Sequence, residues 1–581
     1  MKNYIFILAT LFLISCNGLF DKTNLESISS DVVWEDAALI EAYVNNLYAT
    51  YPTWSRTEND ISDESRNGYK TFDAWRFIRG EWGLEYNPMN YWAYKYVRKC
   101  NEILFNIESS PIEVSLKNRI SGEVKFLRAI TYFEMLKRYG GVPLVTVPQS
   151  MDSEDLYPKR ATIDELFDFI TKEFAEAATL LEDYKVHDKN NFGRVTWGAC
   201  KTLEARAYMF WASPLYNTSN DLTKWEKAVA ANKEIIESGL YSLQTNVRNI
   251  FLDRNSPENI FAIYFQMPER YHGVDAMCKP RSIANGDAAH WGPIQELVDA
   301  FPTINGLAID KDPSFDPLHP YDNRDPRLQA FIVVNESQYC GRTQYNYWGL
   351  GDVDPSFPKE EADRFISIDL GGEHEDASSA AHNSITGYLC RKMIEEDLPK
   401  DAYSYGWGST TPFIEIRLGE VFLNYAEALN EIGDTEIACE YLEKIRNRAG
   451  ILNPEVPDYA KSSKESLRKF IHNERYIELC FEQKRYWDLK RWKEAKETLN
   501  GRKFHGMKIY LNILNNSDVI NTDEYKNAPF VKKLDMLKKT WTYEPYEVDD
   551  EPYLFDEKMY FMPIPRSDME TNPNLVQNEG W

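Results

Sequence analysis

Residues 418–450 read LGEVFLNYAEALNEIGDTEIACEYLEKIRNRAG, and the spacing of the apolar side chains in this stretch decides the fold class. Apolar residues recur every three or four positions in both halves, which is the period of a helix with one buried face. Gly433 and Gly450 follow the two apolar stripes, at the position where glycine commonly ends a helix. Ala428 and Ala438 are small enough for two helices to approach closely. The stretch therefore predicts a pair of packed helices.

Comparable apolar stripes occur along much of the chain. At the start of one of them, Thr162 and Glu165 form the T-x-x-E pattern of a capping box. The stripes predict further helices at residues 36–49, 91–108, 115–139, 161–181, 197–212, 225–239 and 464–496. Paired helices of this length, with glycine at the turns, resemble tetratricopeptide repeats. The regular structure is therefore predicted to be all-α.

Long stretches without helical periodicity separate these segments, chiefly residues 50–90, 240–415 and 500–581. Loops of this length are uncommon in a compact domain unless they carry function. We therefore expect the helices to form a scaffold that supports a large irregular, loop-rich half, and we expect the functional surface to lie in that half.

The charge of the chain excludes one class of partner. Its 581 residues include 66 Lys and Arg against 91 Asp and Glu, which gives a formal charge of −25. That charge repels phosphate backbones, and no local basic patch offsets it, so nucleic acid is not an expected partner. Aromatic residues make up 14% of the chain, which is ample material for a folded core.

The first 15 residues predict a cleaved lipoprotein signal peptide. The apolar run from Tyr4 to Ile14 is about half of the ~20 residues that a membrane-spanning helix needs. The run leads into Ser15 and Cys16, and this end resembles a bacterial lipobox. Cys16 is therefore the predicted lipidation site, and its acyl chains would anchor the protein without a spanning segment. The alternative is an ordinary signal peptide that happens to carry a cysteine.

Several segments in fixed order resemble one family. They are Gly122–Ala129 with Tyr139–Leu144, Phe301–Gly306 with Tyr321–Arg327, Glu415–Glu420, Asn473–Arg475 with Arg485–Trp492, and Pro563–Pro565 with Asn572–Trp581. Together with the lipobox they resemble the SusD/RagB-like outer-membrane lipoproteins of nutrient-uptake systems. Asn305 stands where that family more often has Asp, and Glu579 where it more often has Pro. Neither position is a predicted ligand contact.

The resemblance implies a fold, a partner and a location. The implied fold is all-α, with four degenerate tetratricopeptide-like helix pairs supporting the irregular ligand-binding half, in a single domain over residues 16–581. The implied partner is a SusC-like TonB-dependent outer-membrane transporter, and the implied location is the outer membrane at the cell surface. The usual ligands of the family are oligosaccharides, with a peptide-binding branch.

The residues show no catalytic or cofactor-binding pattern. The eight histidines are scattered without the spacing of a metal site, and no G-x-S-x-G elbow, P-loop or G-x-G-x-x-G occurs. We therefore expect no enzyme activity, no metal and no cofactor. A Ca²⁺ site stays open because Asp310, Asp312 and Asp316 are close in sequence. Besides Cys16 there are seven cysteines and no CxxC, and a disulfide among Cys278, Cys340 and Cys390 also stays open.

Aromatic residues in loops are the candidates for sugar binding. The C–H face of a sugar settles on a ring, and its hydroxyl groups need a few fixed polar partners. The resemblance places ligand contacts in the loop after the first helix and just before the Phe-Pro-Thr signature. The predicted stacking residues are Trp75, Trp82, Tyr271, Trp291 and Trp348, and the predicted polar partners are Asp63, Arg79 and Asn285. Tryptophans on helical stripes are instead assigned to packing, namely Trp34, Trp197, Trp225, Trp487 and Trp492.

The predicted function is capture of an oligosaccharide at the cell surface and its delivery to the transporter. The first alternative is a peptide-binding uptake lipoprotein. A second is a surface glycosidase whose acid pair is hidden among the loop carboxylates, which needs two carboxyl groups about 5–10 Å apart. A third is an interaction protein whose helix pairs bind another chain.

Overall fold

The computed structural model describes residues 33–55, 57–189, 191–280, 283, 290–359, 384–398 and 408–581. The predicted signal peptide, the Cys16 lipidation site and Asn285 lie outside those residues. Within them, no helix combines the length and the apolar character that crossing a bilayer requires.

Helices form most of the regular structure, and the protein is helix-rich as the sequence predicts. In the described part of the chain they are α1 Ala37–Ala49, α2 Asp73–Ile78, α3 Tyr94–Ile107, α4 Val114–Tyr139, α5 Ile163–Leu180, α6 Trp197–Ala212, α7 Leu222–Glu237, α8 Asn249–Leu252, α9 Val274–Cys278, α10 Gln295–Ala300, α11 Pro326–Phe331, α12 Leu418–Ile432, α13 Thr435–Ala449, α14 Asp458–Lys461, α15 Lys464–Glu478, α16 Arg485–Arg491, α17 Ala495–Leu499, α18 Ser517–Ile520, α19 Asp523–Asn527, α20 Phe530–Met536 and α21 Arg566–Thr571. Residues Glu557–Tyr560 form a 3₁₀ turn.

The long helices pack side by side in the order α3, α4, α5, α6, α7, α12 and α13, and α15 also packs on α12. The helix predicted from residues 418–432 therefore extends a row that begins far upstream in the sequence. Trp197, Trp225, Trp487 and Trp492 are buried, which confirms their assignment to packing. Trp34 is half-buried against Tyr43.

Local signals set the ends of these helices. The predicted capping box is confirmed: Glu165 N–H donates to Thr162 Oγ1 over 3.2 Å, and Thr162 N–H donates to Glu165 Oε2 over 2.8 Å. Gly433 and Gly450 follow α12 and α13 with φ values of 96° and 88°. This left-handed conformation is unfavourable for residues with a Cβ atom, so glycine is favoured at both turns.

The regions predicted as irregular contain short strands as well as loops. The strands are β1 Ser65–Arg66, β2 Asn259–Ile263, β3 Gly292–Pro293, β4 Ile332–Val333, β5 Ser337–Tyr339, β6 Arg342–Gln344, β7 Gly349–Val353, β8 Leu389–Cys390, β9 Phe413–Arg417, β10 His505–Ile513 and β11 Thr540–Glu547. Antiparallel pairs join β1 to β3, β2 to β9, β4 to β8 and β5 to β6, while β10 lies between antiparallel β11 and parallel β7. The all-α prediction misses these strands because most are short and pair with segments distant in sequence.

The predicted helix over residues 464–496 is wrong as a continuous element. It ends at Glu478, and regular helix resumes only at Arg485. Between them the carbonyl groups of Glu478 and Cys480 accept hydrogen bonds from the Lys392 ammonium over 2.6 and 2.9 Å. Phe481 also takes a positive φ of 62°. Lys392 therefore stabilises the break in the helix by binding these carbonyl groups, and sequence periodicity does not reveal this contact.

Lys392 belongs to a buried network of charges, which we call the Arg417 cluster. Its cations are Arg327, Lys392, Arg417, Arg446 and Arg448, and its carboxylates are Glu258, Asp325, Glu474, Glu478 and Glu482. The formal charges cancel within this set, as burial of ions requires. The cluster joins the regular helix α15 to segments of the irregular half, so it couples the scaffold to the loops.

The Arg417 cluster predicts acid sensitivity. Burial alone would raise the pKa of Glu482, but Arg417 and Lys392 lower it to about 2. An unfolded Glu titrates near pH ~4.3, so the stability that ionised Glu482 contributes is present above that pH and lost as the pH falls toward about 2. We expect Glu482→Gln to destabilise the protein at pH 7 and to differ much less from the wild type near pH 2.5. Urea midpoints across this range test it, and a gap independent of pH would contradict it.

Candidate ligand-binding face

The sheet of β7, β10 and β11 has one buried face and one face that is partly open to solvent. Along β10, Met507, Ile509 and Leu511 are buried, whereas Lys508 and Tyr510 are half-buried. Successive side chains of a strand point to opposite faces, so this alternation separates a core face from an open face.

The open face carries aromatic rings. Trp348 precedes β7 and meets Tyr546 of β11 edge to face, with ring centroids 5.5 Å apart. Lys508 Nζ lies 4.9 Å from the Tyr546 ring centroid and 5.6 Å from that of Trp348. The Tyr546 hydroxyl group donates to the Ile385 carbonyl, which fixes its ring. We call Trp348, Lys508, Tyr510 and Tyr546 the aromatic face.

A second aromatic group lies in the loop that follows β1. The Tyr69 ring centroid lies 4.9 Å from that of Phe72 and 5.3 Å from that of His290. Tyr69 and Phe72 are half-buried. Lys70 between them forms an ion pair with Asp550, just beyond the strand that carries Tyr546. The loop is therefore held beside the sheet.

Hydrogen bonds between buried polar groups hold this loop in place. Asn67 Nδ2 lies 2.8 Å from His290 Nδ1 and donates to Asp60 Oδ2 over 3.2 Å. The Ser65 hydroxyl group donates to Asp60 Oδ1 over 2.6 Å. Burial raises the pKa of Asp60 to about 7, although the hydrogen bonds from Ser65 and Asn67 oppose the shift. The loop conformation is therefore fixed by polar contacts that bury an acidic side chain.

Three predicted stacking residues lie in the core instead of on a surface. Trp75 and Trp291 are each 1% exposed, and Trp82 is 8% exposed. The Trp75 indole N–H donates to the Asn67 carbonyl over 2.8 Å, and Trp82 stacks on Phe77 with centroids 4.5 Å apart. A buried ring offers no face to a ligand, so the expectation that these tryptophans form the platform is corrected.

The predicted polar partners are largely engaged within the protein. Asp63 is 5% exposed and accepts two hydrogen bonds of 2.8 Å from Arg485, so its expected role as a ligand contact is also corrected. Arg79 is half-buried and donates to the Lys70 carbonyl over 3.3 Å, so its guanidinium group contacts the loop that carries Tyr69 and Phe72. Tyr271 is 44% exposed and stays a prediction. Trp348 is the predicted stacking residue that lies on the aromatic face.

The sequence interpretation missed Lys508, Tyr510 and Tyr546, and also Tyr69 and Phe72. A signal for the first three existed. Residues 505–513 read HGMKIYLNI and residues 540–547 read TWTYEPYE, and both segments alternate between two kinds of side chain as a half-buried strand does. Reading these segments as strands would have placed their alternate residues on one surface.

The sequence leaves a Ca²⁺ site and a disulfide open, and the described residues bear on both. Within the residues that the structure describes, no group of three or more His, Cys, Asp or Glu side chains is placed to hold a metal ion. Asp312, one of the residues behind the possible Ca²⁺ site, accepts hydrogen bonds from Thr303, Asn305 and Ser314. Cys278, Cys340 and Cys390 are free thiols.

Comparison with known proteins establishes the family. The model of the SusD family matches residues 257–581, which is more than half of the chain. The chain belongs to the SusD family. A second family model, described as starch-binding and associating with the outer membrane, matches residues 21–209. The two matches together confirm the resemblance drawn from the sequence motifs.

Relatives and solved structures agree with this placement. SusD-like protein P2 of Formosa agariphila is 24% identical over 86% of this chain and 92% of its own length. The crystal structure of a SusD-like protein from Bacteroides fragilis superposes with a TM-score of 0.74 at 26% identity, covering 95% of this chain and 99% of that one. A SusD-like carbohydrate binding protein from the same species superposes with a TM-score of 0.72 at 22% identity, covering 94% and 100%. The family fold therefore extends over nearly the whole chain.

Proposed function

We propose that this SusD-family protein captures oligosaccharides at the cell surface on its aromatic face. The observation that carries the proposal is the pairing of half-buried Trp348 and Tyr546 with Lys508 between them. Aromatic faces attract the C–H groups of a sugar ring, and the ammonium group supplies hydrogen bonds to hydroxyl groups. The loop with Tyr69 and Phe72 adds aromatic surface next to the strand that carries Tyr546.

The comparisons support a carbohydrate ligand. One matched family model is described as starch-binding, and one structural neighbour is named a carbohydrate binding protein. Asp60 and Asp63 are buried and bind other protein groups, so these two carboxylates are not a free acid pair. We therefore favour binding without catalysis, and with no cofactor.

The wider setting is part of the same proposal. Acylation at Cys16 would tether a single domain of residues 16–581 to the outer membrane. The row of helices, interpreted as tetratricopeptide-like pairs, would dock on a SusC-like TonB-dependent transporter, and the aromatic face would hand the glycan to that transporter. The description of the second family model as associating with the outer membrane supports this arrangement.

A calorimetric titration tests the proposal. The full chain carrying Cys16→Ser is titrated with maltohexaose, laminarihexaose, cellohexaose, xylohexaose and a mixture of short peptides. We expect saturable binding of at least one oligosaccharide, because stacking and hydroxyl contacts act together, and we expect each glycan to remain uncut after long incubation.

Two results would contradict the proposal. Binding of peptides without any oligosaccharide would favour the peptide-binding alternative. Shortening of a bound glycan that a single Asp or Glu substitution abolishes would make the protein a glycosidase.

A further inference from the structure

A cleft lies on the opposite side of the sheet from the aromatic face. Its volume is about 610 Å³, within the range of small-molecule sites. Trp541 and Tyr543 of β11 line it, together with Tyr321 from the loop before α11. Trp541 pairs with Leu511 and Tyr543 with Ile509, both of which face the core. The cleft is therefore on the buried side of the sheet, at its rim, and separate from Trp348 and Tyr546.

The aromatic wall of this cleft is rigid. Tyr543 meets Tyr321 edge to face with centroids 5.5 Å apart, and the Tyr321 hydroxyl lies 3.0 Å from that of Tyr388. Trp541 packs between Tyr345 and Tyr347, with centroids 6.0 and 5.9 Å away. Trp541 and Tyr543 nevertheless remain half-buried rather than fully buried. Fixed rings with an open side are what a sugar ring can stack upon without cost in ordering.

A buried amide donor lines the same cleft. Asn335 is 5% exposed, and its Oδ1 accepts a hydrogen bond from Asn346 N–H over 2.9 Å. Its side chain also contacts the hydroxyl group of Tyr543, one of the rings that line the cleft. Asn335 therefore helps to hold Tyr543 in the wall of the cleft.

The charges around the cleft indicate an uncharged ligand. Arg391 donates to the carbonyls of Gln329 and Gln338 over 2.9 Å each and pairs with Glu396, so its charge is already compensated. Asp322 and Glu336 then outnumber Lys539 among the remaining lining residues. An anionic ligand would meet net repulsion, whereas a neutral polyhydroxylated ligand would not.

We infer that the cleft between Tyr321, Asn335 and Trp541 is a second binding site, and that it takes a short stretch of an uncharged sugar chain. The inference rests on the proposed glycan capture but concerns a different surface. Two sites on opposite sides of one sheet would let a single protein hold a polysaccharide at two points. The effective concentration at the second site then raises the affinity for long chains over short ones.

Hydroxyl-radical footprinting with the four oligosaccharide probes tests the cleft separately from the aromatic face. We expect at least one probe to protect Trp541 and Tyr543 at least threefold, and we expect that protection to persist in Trp348→Ala. Gln338 is exposed and lines the cleft, so Gln338→Trp should fill the space and abolish the protection. Gln338→Ala is the matched control, since it loses the same hydrogen bond to Thr343 without filling the cleft.

Asn335→Asp gives a second, nearly isosteric test. It keeps the acceptor for Asn346 but replaces the amide that contacts Tyr543 with a carboxylate, so protection of Tyr543 should fall while the circular dichroism spectrum stays unchanged. Equal labelling of Trp541 and Tyr543 with and without every probe would overturn the inference. Protection of Trp541 without protection of Trp348 would support the cleft and contradict the aromatic face, and the reverse would contradict the cleft alone.

Discussion

Replacing Arg417 by methionine is expected to lower the free energy of unfolding by about 3–5 kcal/mol. Arg417 is fully buried and donates to Glu258 over 2.6 Å, to Glu478 over 2.9 Å, and to Glu482 over 2.7 Å. Methionine fills a similar space but offers no charge and no donor. The carboxylates would remain buried without their main counter-ion, which is the expensive half of breaking a buried ion pair.

Urea unfolding followed by circular dichroism, together with the melting temperature, measures the effect. Arg98→Met is the matched control, because Arg98 makes one ion pair of 2.9 Å with Glu102 on the surface of α3 and its side chain is 65% exposed. An exposed pair is worth about 0–1 kcal/mol, so the control should change little. Equal losses in the two variants would show that the Arg417 cluster contributes no more than surface charge.

The Arg417 cluster also explains where prediction from sequence succeeds and fails. The helices over residues 418–432 and 435–449 follow from local signals, namely an apolar stripe and a glycine, the residue that best tolerates the left-handed turn. The break after Glu478 does not, because the cation that binds its carbonyl groups, Lys392, is distant in sequence. Short-range periodicity cannot contain that contact. The same limit hides β-strands whose partners lie elsewhere in the chain.

The candidate site shows a different limit. Tryptophan in a loop predicts equally well a stacking platform or a core residue, since both roles use a large flat ring. Trp75 and Trp291 are buried, while Trp348 is half-buried beside Tyr546. Residue type therefore predicted the kind of surface but not which rings form it. The deciding information is which side chains of a strand face outward. The alternation of residues 505–513 carries it for Lys508 and Tyr510.

Trp348→Ala is expected to weaken oligosaccharide binding by roughly 1–3 kcal/mol, by analogy with stacking of bases on aromatic side chains. That is about a fivefold to 150-fold rise in Kd. Trp291→Ala is expected to lower the free energy of unfolding by about 3–5 kcal/mol, because it removes a large side chain that is 1% exposed. Calorimetric titration with the oligosaccharide that binds gives the Kd of both variants, and urea unfolding gives their free energies of unfolding.

The two tryptophans thus separate binding from packing. Trp348→Phe should recover part of the affinity, since it keeps a ring facing Tyr546, and the remaining gap then measures the larger indole face. For Trp291, affinity per folded molecule should stay near that of the wild type below the unfolding transition, because its ring reaches no surface. If Trp291→Ala abolished binding without loss of stability, the buried ring would have to become exposed on ligand contact. If Trp348→Ala changed stability alone, the aromatic face would be packing surface, and glycan capture would have to occur elsewhere on the protein.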